Sequence, residues 1–129
     1  MANNSLFISQ TVPSTLGINQ VVSVTVTFKN NGTTTWTDTS AATGYHLGSQ
    51  NPQDNVTWSF PSGGNRVRMI GESIAPGQNK TFTFNITAPS IAGAYNFQTR
   101  VVQDGVEWFG AFSTNIAVTP KNTLSGNVR

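Results

Sequence analysis

The chain contains no cysteine and few charged residues. Without cysteine, neither a disulfide framework nor a thiolate metal site is possible, so a packed core has to hold the fold together. Charged residues make up 9% of the chain, against about 25% in typical globular domains. A net charge of +2, spread over scattered lysines and arginines, argues against nucleic acid or an anionic membrane as partner. The polar surface must come from Thr, Ser, Asn and Gln, which is typical of secreted β-rich modules.

The sequence also lacks a long apolar run and a leader peptide. No stretch approaches the roughly 20 residues of a membrane span. The first residues, Met1-Ala2-Asn3-Asn4, have neither the basic start nor the apolar middle of a signal peptide. We interpret Met1 as an expression start and the chain as a module of a longer exported protein, extracellular or on a bacterial cell surface. Residues 5–120 then form one domain, and residues 121–129 form a linker or the start of a following domain.

What the sequence has in abundance is alternation of apolar and polar residues with a period of two. This pattern is typical of half-buried strands, and turn residues interrupt it at short intervals. It predicts an all-β fold, an immunoglobulin-like antiparallel β-sandwich of seven to nine strands, with a closed barrel as the alternative. The predicted strands cover residues 6–12, 22–28, 33–37, 45–49, 56–60, 66–70, 81–86, 95–103 and 106–111, the last continuing through 112–119.

The clearest local signal is a hairpin in residues 95–112. Two alternating runs flank Asp104-Gly105, a pair that favours a two-residue type I′ turn with positive φ at both central positions. Asp104 and Glu107 would then lie at an exposed tip as solvated charges. Without an apolar pocket, such a pair of carboxylates lacks the environment that raises one pKa and leaves the other group ionised.

Several short phrases, taken in order, resemble one known family. They are Lys29-Asn30-Asn31-Gly32-Thr33 with Trp36, Tyr45-His46-Leu47-Gly48-Ser49 with Asn51-Pro52, Ile74-Ala75-Pro76-Gly77, Thr87-Ala88-Pro89 with Gly93-Ala94-Tyr95, and Val106-Glu107-Trp108-Phe109-Gly110. Together they resemble the four-tryptophan (FW) immunoglobulin-like domain, over roughly residues 5–119. The family occurs in eukaryotic selective-autophagy receptors and in bacterial extracellular proteins, and the low charge and lack of cysteine favour the bacterial branch. The resemblance implies an interaction or spacer module and no enzymatic activity.

The chain departs from the family pattern at positions that bear on binding. It has three tryptophans, at 36, 58 and 108. Thr99-Arg100 stands where the family usually has a Trp-Arg pair, and Ala111 stands where an acidic residue often follows the Phe-Gly of the last hairpin. A ligand site at those positions therefore does not carry over to this chain.

Catalytic and metal-binding patterns are weak. His46 is the only histidine, so a Ser-His-Asp arrangement has no second candidate, and we interpret His46 as a polar strand residue rather than a metal ligand. No Gly-x-Ser-x-Gly elbow or phosphate-binding glycine loop is present. A shallow calcium site is the remaining alternative, at Asp38 near Thr39 or at Asp54 near Asn51 and Asn55. We expect no enzymatic activity, no cofactor and no bound metal.

The candidate ligand or partner surface is the aromatic return strand of the hairpin. Because neighbouring residues of a strand point to opposite faces, either Trp108 or Phe109 must point inward. Trp36 and Trp58 are assigned to the core. The residues of the candidate surface are Trp108, Phe109, Glu107, Tyr45 and Arg100.

Two functions fit this surface. The leading interpretation is a non-catalytic accessory module, monomeric, that acts as a spacer and contacts neighbouring domains or another protein through strand edges or the Trp108 hairpin. The alternative is a carbohydrate-binding module that delivers an attached hydrolase to polysaccharide. In that case, Trp108-Phe109 with Tyr45 or Trp58 would stack on sugar rings, and Gln103 or Arg100 would bind hydroxyl groups.

Overall fold

The computed structural model describes residues 2–122 and shows an all-β protein. None of these residues forms a helix that could span a membrane. Met1 and residues 123–129, which include most of the proposed linker or following strand, lie outside the described residues. The strands are β1 (Ser5–Thr11), β2 (Thr15–Gly17), β3 (Val21–Asn30), β4 (Trp36–Thr37), β5 (Tyr45–Gln50), β6 (Arg66–Val67), β7 (Ser73–Ile74), β8 (Asn79–Thr87), β9 (Tyr95–Gln103), β10 (Glu107–Phe109) and β11 (Ile116–Lys121).

The strands form two main sheets. The first has the order β1-β3-β8 and the second the order β2-β11-β9-β5-β6, with β10 paired to β9, while β4 and β7 form a separate small ribbon. All pairs are antiparallel except β2 with β11, which run parallel. Within residues 2–122, six strands have six residues or more and five have two or three, where the sequence predicted seven to nine in all.

The core lies between the two sheets, as the alternation predicts. On β3, Val24, Val26 and Phe28 are buried, whereas Thr25 and Thr27 face outward. Each sheet has an apolar inner face, so burial of the two faces against each other supplies the main stabilising term. The β-sandwich fold class is confirmed. The other buried apolar residues include Leu47, Trp36, Trp58, Phe60, Phe82, Phe84, Ile86, Phe97, Val101 and Val118.

The prediction of a strand at residues 56–60 is wrong, because the chain forms a turn there. Trp58 and Phe60 are both buried, which reproduces a strand-like i, i+2 pattern. However, the Ser59 N–H donates to the Val56 carbonyl, and Ser59 has a φ of 53°. The Asn55 side chain donates to the carbonyls of Gln50 and Pro52, which fixes the start of this turn.

Two other predicted strands are shorter than expected. The prediction at residues 66–70 holds only for Arg66–Val67, and the one at 33–37 only for Trp36–Thr37. The return strand is also interrupted between β10 and β11. There the Ser113 hydroxyl accepts the Thr99 N–H, so a side chain takes the place of a ladder partner.

Candidate functional site

The hairpin turn that joins β9 to β10 differs from the expected type. The Val106 N–H donates to the Gln103 carbonyl, and Gly105 has a φ of 79°, but Asp104 does not have a positive φ. The type I′ prediction is therefore wrong. Glu107 pairs with Gln103 in the register, so Val106 is an extra residue at the tip. The turn directs Asp104 back over the sheet instead of out into solvent.

Asp104 meets the single histidine of the chain on the outer face of the second sheet. Asp104 Oδ2 lies 2.7 Å from Nδ1 of His46, and the His46 side chain is only 1% exposed. On its other side, Nε2 of His46 lies 3.0 Å from Oδ1 of Asp38, although this contact is not aligned as a good hydrogen bond. A neutral imidazole carries one N–H, so only the doubly protonated ring offers a proton to both carboxylates. Both ring nitrogens of His46 therefore face an aspartate carboxylate.

Asp38 is fully buried and has two further partners. Arg68 donates to both carboxylate oxygens, at 2.8 and 3.1 Å, and the Met69 N–H donates to Oδ2 at 3.0 Å. Burial alone raises the pKa of Asp38, but the hydrogen bonds from Arg68 and Met69 and the contact with His46 outweigh it. They lower the pKa from 3.8 to about 2. Asp38 is therefore ionised at every ordinary pH.

Arg66 links Asp104 to Asp54, which lies in the loop after β5. Its guanidinium donates to both oxygens of Asp104, at 3.0 to 3.3 Å, and to Asp54 at 2.6 Å. Burial raises the pKa of Asp104, but the hydrogen bonds from Arg66 and His46 lower it by more. The pKa of Asp104 therefore lies below the usual value of an aspartate. We call the resulting set the charge network; its members are Asp38, His46, Arg68, Asp104, Arg66 and Asp54.

Trp108 covers part of this network. Its indole lies against the backbone of Gly48, where a Cβ atom would come within 2.6 Å of Cζ3 of the ring. The Arg66 guanidinium carbon lies 4.9 Å from the ring centroid, within the range of a cation–π contact. Trp108 is half-buried, and both Gly48 and Arg66 are in contact with its ring. Part of the ring surface is therefore occupied by contacts within the domain.

Two residues of the candidate surface lie in the core. Phe109 is 4% exposed and packs against Trp36 and Tyr45, with ring centroids 5.9 and 6.0 Å apart. Tyr45 is 7% exposed, and its hydroxyl donates to the Asn3 side chain. Phe109 is the inward-pointing member of the Trp108-Phe109 pair. The prediction that Tyr45 and Phe109 belong to an exposed surface is wrong, because both face the interior between the sheets.

The other two residues remain accessible but are held by local contacts. Glu107 is exposed and accepts a hydrogen bond from Asn3 at 2.8 Å. Arg100 donates to the Gly110 carbonyl, and its guanidinium carbon lies 4.5 Å from the Phe112 ring centroid. Phe112 is 47% exposed and was not among the predicted surface residues. Trp58, the second aromatic residue considered for stacking, is in the core, as is Trp36, and both core assignments are confirmed.

The residues considered for calcium are engaged elsewhere. Asp38 accepts from Arg68 and Met69, and Asp54 accepts from Arg66. The Asn55 amide group is used within its own turn. In residues 2–122, no group of three or more His, Asp or Glu side chains is arranged to hold a metal ion.

All five carboxylates of the chain therefore have a polar partner in the structure. Besides the three aspartates of the charge network, Glu72 pairs with Lys80 at 2.7 Å and Glu107 binds Asn3. Residues 2–122 enclose no pocket. General acid–base chemistry needs a carboxyl group within reach of a bound substrate, and these groups face cations or amides instead.

Four members of the charge network were singled out from the sequence in other roles. Asp38 and Asp54 were considered for calcium, His46 was placed on a strand and Asp104 in a turn. Their association was not predicted, and neither arginine was considered. The sequence did contain one sign of this association, because Gly44 and Gly48 lie two residues before and two residues after His46. A Cβ at Gly44 would lie 2.5 Å from Asp38 Oδ1 and 3.0 Å from His46 Nε2, so both glycines leave room for side chains that cross the strand.

Comparisons with known proteins show the fold and no family. No family model matches the chain, and no curated protein matches it. Among solved structures, it is similar to the CARDB domain of PF1109 from Pyrococcus furiosus, determined in solution by NMR. That match has 15% sequence identity and a TM-score of 0.55, and it covers 95% of this chain and 98% of the other. At this identity the likeness shows the β-sandwich fold alone.

Proposed function

We propose that the chain is a non-catalytic accessory module that acts as a rigid spacer and as a protein–protein interaction domain. We further propose that it belongs to the FW immunoglobulin-like family and works in a bacterial extracellular multidomain protein. The family phrases support this part of the proposal, together with the low charge and the absence of cysteine. The β-sandwich shared with the archaeal CARDB domain is compatible with it.

The observation that carries the spacer role is the position of the two chain ends. The first described residues lie at the hairpin end of the sandwich, because Asn3 donates to the side chains of Gln103 and Glu107. The last strand leaves from the opposite end, because Val118 pairs with Tyr95 at the start of β9. With a rise of about 3.3 Å per residue, β9 spans about 26 Å, and the residues from Val118 to Lys121 add about 10 Å. Neighbouring domains would be held about 35 Å apart.

Both ends are fixed to the body of the domain, as a spacer requires. The carbonyl of Ala2 accepts the N–H groups of Thr33 and Thr34. At the other end, Lys121 accepts the N–H of Ile18, and Pro120 accepts that of Gly93. These bonds leave no loose stretch between the core and either end of the described chain.

The ion pairs and hydrogen bonds that hold the five Asp and Glu side chains within the domain are compatible with the non-enzymatic part of the proposal. The carbohydrate-binding alternative depends on an open aromatic face. Trp108 is the half-buried tryptophan, and Arg66 lies over its ring while Gly48 lies against it. The geometry therefore favours the spacer and interaction role over sugar stacking.

The spacer role is tested by the distance between spin labels at the two ends. The chain has no cysteine, so Ala2→Cys with Lys121→Cys places two unique labels, and we expect one narrow distance distribution near 35 Å. The control pair, Ala2→Cys with Val106→Cys, puts both labels at the hairpin end and should give a clearly shorter distance. A broad distribution for the first pair, or one that overlaps the control, contradicts a rigid spacer.

A further inference from the structure

Strand β8 forms the free edge of the first sheet. It pairs with β3 along its whole length, without a bulge, and within residues 2–122 no strand lies on its other side. The Gln78 carbonyl just before β8 accepts the Asn30 N–H of β3, whereas the Thr87 N–H points the other way and donates to Trp58. Because this direction alternates along an antiparallel strand, the backbone groups of Thr81, Thr83 and Asn85 also point away from β3.

These three residues define an open window on the edge. The structure records no hydrogen bond, within residues 2–122, to the outward N–H and C=O groups of Thr81, Thr83 and Asn85, and all three residues are exposed. The window is closed at one end by the Thr87–Trp58 bond. At the other end, the Lys80 side chain pairs with Glu72. An inward-pointing charged residue of this kind is a usual protection of strand edges, but it does not reach the window itself.

The window is chemically self-complementary. It carries hydroxyl and amide side chains and no charge. If a second β8 is placed antiparallel with Thr83 opposite Thr83, then Thr81 faces Asn85 at both ends. The three N–H groups of each copy then meet the three carbonyls of the other. Facing hydroxyl side chains stabilise such pairs, and the same contact already exists inside the domain, where Thr27 Oγ1 lies 2.7 Å from Thr81 Oγ1.

We propose that the edge of β8 pairs with the same edge of a second copy, about a two-fold axis at Thr83. This inference deepens the proposed interaction role by naming the partner. Residues 81–85 of each copy would form the contact. This interface is smaller than that of a stable complex, so the pairing is weak. A single domain in dilute solution then remains a monomer, and the pairing becomes important where copies are held close together, at effective concentrations in the millimolar range.

The test uses the concentration dependence of amide NMR signals and of sedimentation, up to about 2 mM. We expect the amide signals of Thr81, Thr83 and Asn85 to shift with concentration more than any others. Thr83→Lys puts two like charges opposite each other on the axis and should weaken association by about tenfold or more. The matched control is Thr25→Lys, because Thr25 pairs with Thr83 on the same face but lies one strand, about 4.8 Å, farther from the edge; it should associate like the parent chain.

A mixture of two variants gives the decisive result. Thr83→Lys and Thr83→Glu should each fail to associate alone and should associate when mixed, because the two charges then attract. The proposal is overturned if the window signals do not move with concentration, or if Thr25→Lys weakens association as much as Thr83→Lys. It is also overturned if the mixture behaves like its components. The spin-label distance of the spacer test does not depend on this edge, so either proposal can fail without the other.

Discussion

The buried carboxylate of Asp38 gives a quantitative prediction. Its pKa is about 2 in the folded protein and 3.8 in the unfolded chain, so its ionisation stabilises the fold above pH 3.8, and this contribution disappears as the pH falls towards 2. This difference in pKa corresponds to roughly 2 kcal/mol of stability at neutral pH. Asp38→Asn keeps the shape of the side chain but removes the charge, so its unfolding free energy at pH 7 should be roughly 2 kcal/mol below that of the parent.

The same linkage fixes how the difference between the two proteins changes with pH. It should be about 2 kcal/mol at pH 4, about 1 kcal/mol at pH 3 and well below about 1 kcal/mol at pH 2. Urea unfolding at each pH measures it. The matched control is Asp54→Asn, whose carboxylate is 42% exposed and pairs with Arg66; this variant should lose less than about 1 kcal/mol. A difference between Asp38→Asn and the parent that stays constant from pH 7 to pH 2 would refute the reasoning.

Two further predictions concern Trp108, whose ring covers part of the charge network. Gly48→Ala places a Cβ against the Trp108 ring, so it should lower the free energy of unfolding by about 1–3 kcal/mol. It should also make one tryptophan more accessible to quenching by acrylamide. Unchanged quenching in this variant would show that Trp108 does not rest on Gly48. On affinity gels containing soluble polysaccharides, the parent chain should migrate like the folded Trp108→Ala variant, because the Trp108 ring is half-buried and already contacts Gly48 and Arg66 of the same domain. Retention that is lost in Trp108→Ala would instead support the carbohydrate-binding alternative.

The sandwich could be predicted because each sheet has one apolar face. The alternation in β3 and β8 fixes which residues are buried without knowledge of the partner sheet. The same rule failed at residues 56–60, because a turn that buries Trp58 and Phe60 produces the same i, i+2 pattern as a strand. Short-range patterns do not distinguish the two when the hydrogen bonds come from side chains such as that of Asn55.

The candidate surface was predicted less well, because it depends on contacts between residues far apart in sequence. Alternation required one of Trp108 and Phe109 to be buried, but it could not say which. Asp104 was expected in solvent, since the turn type was taken from two residues alone. Its actual partners, His46 and Arg66, are separated from it by 58 and 38 positions, and nothing in the local sequence marks such pairs.

The parallel pairing of β2 with β11 has a mechanical consequence. A pull on the two ends of the domain would act along the strands, since the chain enters at one end of the sandwich and leaves at the other. The register joins Thr15–Gly17 to Thr119–Lys121, and further backbone bonds from Thr119 to Ser14 and from Ile18 to Lys121 extend it. Hydrogen bonds of a sheet lie across the strand direction, so such a force would shear these bonds together and could not open them one at a time. A domain built in this way resists a stretching force at β11, the strand through which the chain leaves the sandwich.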